Sequence, residues 1–176
     1  GAQIMCWTFI IQYGTRLFMS QGMDEKSAEV LSQQYNIIAM VIFCISRFIC
    51  TFILRYLNAG KLLMILAIFG GIFTLGVIFL QNIFGMYCLV AVSACMSLMF
   101  PTIYGFGLTG LGEDTKIGGS FMVMAIAGAA VLTQIQGIVS DHSGSIMTAY
   151  IVPAVAFAVV AYYGYFIARK QELATK

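Results

Sequence analysis

Apolar residues run along this chain in long blocks that charge rarely interrupts. Uncharged stretches cover residues 30–46, 62–112, 117–140 and 143–168, which are 17, 51, 24 and 26 residues long. About 20 consecutive apolar residues make one membrane-spanning helix. The 51-residue stretch is too long for one crossing, and Gln81-Asn82 offers a turn that divides it. With the block ahead of Ser20, six spans are expected: residues 1–19, 31–56, 62–80, 84–108, 120–139 and 146–168. Between them lie SQGMDEKSAE, the short turn LNAGK, the Gln81-Asn82 turn, a loop with Glu113, Asp114 and Lys116, and SDHSGS. In LNAGK, Asn58 and Gly60 read as the stop of the second helix.

Composition turns the pattern into a choice of solvent. Of 176 residues, 61% are hydrophobic and 9% charged, against about 25% charged in an ordinary soluble domain. A domain of this length has too much surface per volume to hide that many apolar side chains inside itself. The expected fold class is therefore an all-α membrane protein of six transmembrane helices in a lipid bilayer. Disorder and nucleic-acid binding are excluded by the same arithmetic, since a net charge of +2 makes no basic footprint. Cys6, Cys44, Cys50, Cys88 and Cys95 all lie in apolar runs and read as small buried apolar residues. The chain opens at Gly1 inside an apolar stretch, with no initiator Met and no basic region ahead of it, so a piece of something longer is expected. Arg55, Lys61, Lys116, Arg169, Lys170 and Lys176 fall on one side of the predicted topology, Arg16 and Lys26 on the other. The positive-inside rule makes the first side, with both ends of the chain, cytoplasmic.

Few residues carry chemistry. Gly105, Gly107 and Gly110 spell G-x-G-x-x-G, but a dinucleotide fingerprint needs a strand before it and a helix start after it, and this one ends a membrane helix. His142 has only Asp141 beside it, too few ligands for a metal. H-E-x-x-H and G-x-S-x-G are missing, so no enzyme, no metal and no cofactor are expected. Glycines and small residues such as Gly70, Gly71, Gly76, Ala125, Gly128 and Ala129 let helices approach closely, as lipid-embedded bundles require. Arg47 is a charge within the second span, where it needs protein, water or a partner. Snorkelling to the headgroups is one reading. A gating ion pair with Glu113 or Asp114 on the same side is the other. No Asp or Glu falls within the six predicted spans, so a proton-coupling group is not visible.

Polar and aromatic groups gather in two spans. Ser93, Ser97, Phe100 and Tyr104 share one stripe of the fourth, beside Pro101. In the first, Gln3 and Trp7 share a face with Gly14, while Thr8, Gln12 and Thr15 share another. Hydrogen-bonding groups beside an aromatic platform suit a sugar, and interhelical packing explains the same residues equally well. A different class also stays open, an autonomous six-helix pore or scaffold subunit.

The stretch FPTIYGFGLTGLGEDTKIGGSF (Phe100 to Phe121), followed by VMAIAG and by GIVSDHSG (Gly137 to Gly144), resembles the fucose permease group of the major facilitator superfamily. GAQIMCW at the start and SRF (Ser46 to Phe48) are similar to the same group. The resemblance covers essentially the whole chain. It implies the C-terminal six-helix half of a twelve-helix hexose or deoxyhexose:proton symporter that works by alternating access in the cytoplasmic membrane, for a bacterium the inner one. Its implied partners are a sugar, a proton, the bilayer and an N-terminal six-helix half of the same protein, which in this family holds the proton-coupling carboxylates. Gln3 and Trp7 take cavity-lining positions by resemblance, and with Gln12, Phe100 and Tyr104 they make the expected substrate-binding set. Phe100 stands where the fucose symporter pattern has a tyrosine, and Tyr104, one turn on, could replace the lost hydroxyl. Gln134 stands where a proline is expected after Thr133.

Overall fold

A backbone inside hydrocarbon finds no water to bond and must satisfy itself, which helices do. The structure, a computed structural model, describes residues 1–80, 82–110 and 112–174, the side chains of 171, 172 and 174 excepted. Every regular element among the described residues is helical: α1 (Ala2–Ser20), α2 (Glu25–Ile53), α3 (Ala59–Phe79), α4 (Ile83–Met96), α5 (Met99–Leu108), α6 (Thr115–Met124), α7 (Ala127–Ser143), α8 (Ile146–Ala149) and α9 (Ile151–Ala174), with a 3-10 turn at Gly112–Asp114. Gln81 of the predicted turn and Lys176 of the charge count lie outside the described residues. Five stretches, Glu25–Ile53, Ala59–Phe79, Ile83–Leu108, Gly112–Ser143 and Ile146–Lys170, are long and apolar enough to cross a membrane. At 1.5 Å per residue α1 reaches about 28 Å, close to the hydrocarbon thickness, but Gln3, Thr8, Gln12, Thr15 and Arg16 lower its hydropathy.

Helix ends follow local chemistry more than the apolar blocks do. Helix α2 begins six residues before the apolar pattern does, because Asp24 takes an extended N-cap position and Glu25, Lys26, Ala28 and Glu29 include good helix formers. It ends at Ile53. Asn58 is the N-cap of α3, and Gly60 lies inside its first turn instead of stopping α2. Helix α7 closes at Gly144, whose φ of +64° suits a residue without a Cβ.

Three of the spans are interrupted. Pro101 and Pro153 each sit third in a helix, α5 and α9, and the residues four before them are Ser97, the C-cap of α4, and Ala149, the last residue of α8. A proline ring clashes with that carbonyl and withholds the amide that would bond it. The third interruption, at Ala125–Ile126, has no proline, and α7 runs unbroken through Gln134. The hairpin of α5 and α6 buries little: Met99 is its one buried residue within these two helices.

Helix α1 is held on several sides, by α2, α4, α7, α8 and α9. Met5, Cys6, Phe9, Ile10, Tyr13, Leu17 and Phe18 are buried along it. The Tyr13 hydroxyl donates toward the Val77 and Leu80 carbonyls, each at 3.4 Å, and so reaches orphan acceptors at the end of α3. Its ring meets Tyr150 edge-on with centroids 5.8 Å apart. Helix α2, by contrast, exposes Ile37, Val41, Ile45, Phe48 and Phe52 along its outer side. Cys44 is exposed there too, unlike the buried Cys6, Cys50 and Cys95.

Main chain approaches main chain between antiparallel α3 and α9. A Cβ placed on Gly60 would sit 2.9 Å from the Ala168 backbone nitrogen, and one on Gly164 would sit 2.8 Å from that of Met64. Further along, Gly70 lies under the Phe157 ring. Backbone against backbone leaves no flexible side chain to give way, so Gly164→Ala should cost about 1–3 kcal/mol and lower the thermal midpoint in detergent by several degrees. Gly137, with nothing within 4 Å, is the control: Gly137→Ala should be neutral or stabilising. Equal midpoints for the two variants would refute the close-packed crossing.

Candidate functional site

Helix α1 presents two different faces. Ile4, Thr8, Gln12, Arg16 and Met19 form an exposed stripe, spaced three or four residues apart. The face predicted to hold Gln3, Trp7 and Gly14 is instead turned toward neighbouring helices: Gln3 and Trp7 are half-buried, and Gly14 packs against Ser32 and Met86. Trp7 meets Phe43 edge-to-face at 4.9 Å, and its indole N–H is buried without a partner among the described residues. Of the predicted binding residues on α1, Gln12 alone lies on the open stripe.

The stripe on the fourth span divides at the proline break. Above it, Ser93 and Ser97 are buried in packing: the Ser93 hydroxyl donates to the Leu89 carbonyl at 3.2 Å, and Ser97 donates to Ser46 Oγ at 3.3 Å. Ser46 in turn donates to the Ala94 carbonyl at 2.9 Å, which ties α2 to α4. Ser97 is thus spent on interhelical bonding through Ser46, while Ser93 bonds within its own helix. Below the break, Phe100 and Tyr104 remain available, their rings tilted at 32° with centroids 5.9 Å apart. Phe100 is 48% exposed. Tyr104 is half-buried and, with Lys116, Gly119 and Ser120, lines an open groove of about 650 Å³ between α5 and α6. The expected substrate-binding residues therefore fall into two groups, half-buried Gln3 and Trp7 on α1, with Trp7 against Phe43 of α2, and Phe100 with Tyr104 on α5, while Gln12 faces out.

Arg47 is exposed and lines a cavity of about 480 Å³ with Thr51, Leu98, Pro101, Thr102 and Gly105, where α5 departs from α2. Glu113 and Asp114 are exposed in the 3-10 turn. Among the described residues no ion pair joins Arg47 to either acid in this conformation. Gly105 and Gly107 are helical and Gly110 turns the chain with φ +89°, so the glycine string ends a helix without forming a phosphate cradle. No group of three or more potential metal ligands occurs among the described residues.

Several polar residues that the sequence did not single out are buried. Gln136 is fully buried with both amide atoms unpartnered among the described residues, and so are the Tyr150 hydroxyl and the Asn36 Oδ1. Gln136 shares a stripe with Ala129, Thr133 and Ser140, a spacing of the kind already read on the fourth span. That stripe was a legible signal.

With this geometry in place, relatives give it a class. No family model matches the chain. It is 46% identical over 171 residues to an L-fucose-proton symporter of Haemophilus influenzae, covering 94% of this chain and 38% of that protein. It is 37% identical to the L-fucose-proton symporter of Escherichia coli, over 91% of this chain and 35% of that one, and 33% identical to a glucose/galactose transporter of Brucella abortus over 68% of this chain. A crystal structure of a major facilitator superfamily transporter, FucP, in the outward conformation superposes with a TM-score of 0.85 at 35% identity, covering 94% of this chain and 39% of that one. The protein is a multi-pass membrane protein with the fold of one half of a major facilitator superfamily transporter. Within that superfamily it belongs to the fucose permease group, to whose C-terminal half it corresponds. The chain spans well under half the length of the relatives it matches.

An unpartnered buried amide costs about 1–3 kcal/mol. Replacing Gln136 by Met, of similar length and with no hydrogen bonds to lose, should raise the thermal midpoint in detergent. An unchanged or lower midpoint would mean that the amide has found a partner such as an ordered water.

Proposed function

We propose that this chain is the C-terminal half of a secondary active transporter that carries a hexose or deoxyhexose across the cytoplasmic membrane by proton symport and alternating access. The observation that carries the reading is the similarity, over more than nine-tenths of the chain, to proteins named as L-fucose-proton symporters. In this reading α1 is the first of six spans, with residue ranges near 1–19, 31–56, 62–80, 84–108, 120–139 and 146–168, and both ends of the chain face the cytoplasm. The membrane is the bacterial inner membrane. The partner is an N-terminal six-helix half, which supplies the proton-coupling carboxylate. Glu25, Glu29 and Asp141 all lie near helix ends, where they suit the aqueous boundary better than a relay at depth.

The roles of individual residues follow. Gln12 and Phe100 present exposed side chains to the solute path, and Tyr104 supports Phe100 and offers a hydroxyl. Trp7 and Gln3 reach the path from the α2 side. Arg47 pairs with Glu113 or Asp114 in one of the two conformations of the cycle and is released in the other, so that the open cavity beside α5 is the broken state of that contact. Such transporters bind near the midplane and rock one half against the other.

The test is uptake by the full-length protein in proteoliposomes with a panel of hexoses and deoxyhexoses. Uptake should require an inward proton gradient and collapse with a protonophore, and a requirement for sodium alone would replace proton by sodium in the reading. Trp7→Ala should raise the apparent KM, Phe100→Tyr should change the order of preferred sugars, and Arg47→Gln should lower the maximal rate with little change in KM. Failure of all three variants to alter transport would dismiss these residue roles while leaving the transporter assignment standing.

A further inference from the structure

At the end of α1 nearest α2 and the α7–α8 turn, a groove of about 470 Å³ is lined by Gln12, Thr15, Arg16, Glu25, Glu29 and Ile146. Its volume lies within the range of small-molecule sites, roughly 300–1,000 Å³. The groove is charged: Arg16 donates an Nη1–H to the Gly144 carbonyl at 3.3 Å, and its other guanidinium N–H groups have no protein partner among the described residues. The Thr15 hydroxyl spends its proton on the Ile11 carbonyl at 2.8 Å and keeps its oxygen as an acceptor. Glu29 accepts one weak bond from Gln33 at 3.4 Å and is otherwise open. Donors and acceptors therefore face one space: a guanidinium, an amide with both functions, a hydroxyl oxygen and two carboxylates.

We propose that this groove is a second, outer binding subsite for a neutral monosaccharide, which receives the sugar before it reaches the midplane. The proposal rests on the transport reading above and on the orientation that places this end of α1 outside. Each sugar hydroxyl both donates and accepts, so neighbouring hydroxyls suit a carboxylate on one side and a guanidinium on the other, and charge assistance shortens and strengthens both bonds. The Met19 and Ile11 side of the groove serves the C–H face of the ring. Two carboxylates against one guanidinium leave the groove net negative, which admits an uncharged sugar and repels a hexuronate or a sugar phosphate. From here the exposed stripe of α1 runs inward through Gln12 and Thr8, four residues or about 6 Å at a time. The stripe gives a bound sugar its next hydrogen-bonding group without leaving the helix.

The experiment measures uptake by the full-length protein in proteoliposomes at varied sugar concentration, for the unaltered protein and for Glu25→Gln/Glu29→Gln. Both carboxylates are exposed, so the double variant keeps its packing. Losing charge-assisted bonds at a site that only gathers substrate should raise the apparent KM about three- to tenfold while the maximal rate stays within about twofold. Glu29→Lys, which reverses the local charge, should also make uptake sensitive to a hexuronate that leaves the unaltered protein unaffected. An unchanged KM in the double variant, a fall in maximal rate with KM unchanged, or inhibition of the unaltered protein by the hexuronate would each overturn the subsite. Absence of any sugar uptake by the unaltered protein would overturn the transport reading, and the subsite with it.

Discussion

Lipid removes the driving force that ordinarily holds helices together, because a leucine is as well solvated by acyl chains as by another leucine. What remains is close approach of backbones, and in this bundle it is concentrated where α3 crosses α9. Gly60 against Ala168 and Gly164 against Met64 bring main chain to main chain at two points of one antiparallel pair, and Gly70 makes room for the Phe157 ring further along. Those contacts also account for Gly60 lying in a helix, where its sequence surroundings resemble a turn. Once α3 and α9 are joined, the end of α3 is positioned to receive the Tyr13 hydroxyl, and Tyr150 at the start of α9 receives the Tyr13 ring. Helix α1 is thereby fixed to the pair.

The second constraint is that polar groups in the same solvent must be satisfied locally. Hydroxyls of Thr15, Ser32, Thr51, Thr74 and Thr133 bond carbonyls four residues back in their own helices, a pattern that asks nothing of neighbours and slightly bends the helix. Ser46 and Ser97 bond across helices instead. Against that background the exceptions stand out: the Trp7 indole, the Asn36 oxygen, the Gln136 amide and the Tyr150 hydroxyl are buried with no partner among the described residues. Around the two proline breaks, by contrast, irregular backbone lies where protein or an open cavity is beside it, as a bilayer demands.

Much of the architecture was legible because its causes are local. The length of the apolar blocks follows from the chain read in order. The caps at Asn58 and Gly144 and the interruptions ahead of Pro101 and Pro153 also have causes within a few residues, although the sequence pattern makes Asn58 a stop of α2 and not the start of α3, and ends the fifth span at 139. The start of α2 was misplaced because the apolar pattern reports what faces lipid, while helix formation continues into the polar Glu25–Glu29 turn. The site was less legible. Periodicity placed Gln3, Trp7 and Gly14 on one face and Thr8, Gln12 and Thr15 on another, and that division is geometric. Which of the two faces would be covered depends on where α2 and α4 lie, and Gly14 decides it by admitting Ser32 and Met86. The stripe through Ser93, Ser97, Phe100 and Tyr104 likewise was one line in sequence and two environments in space, because the break at Ser97–Leu98 separates its halves.

By itself the sequence determined the solvent, the class of secondary structure and the family, since apolar length, turn chemistry and a long run of shared residues are properties of the chain read in order. Tertiary structure alone decided which polar groups are spent on packing and which stay exposed: Ser97 is closed by Ser46, Gln136 is enclosed, and Gln12 and Arg16 face a groove. The physical reason is that exposure belongs to a pair of helices and not to a residue. A side chain's periodicity tells which neighbours share its face, and only the approach of a second backbone determines whether that face meets protein or stays exposed.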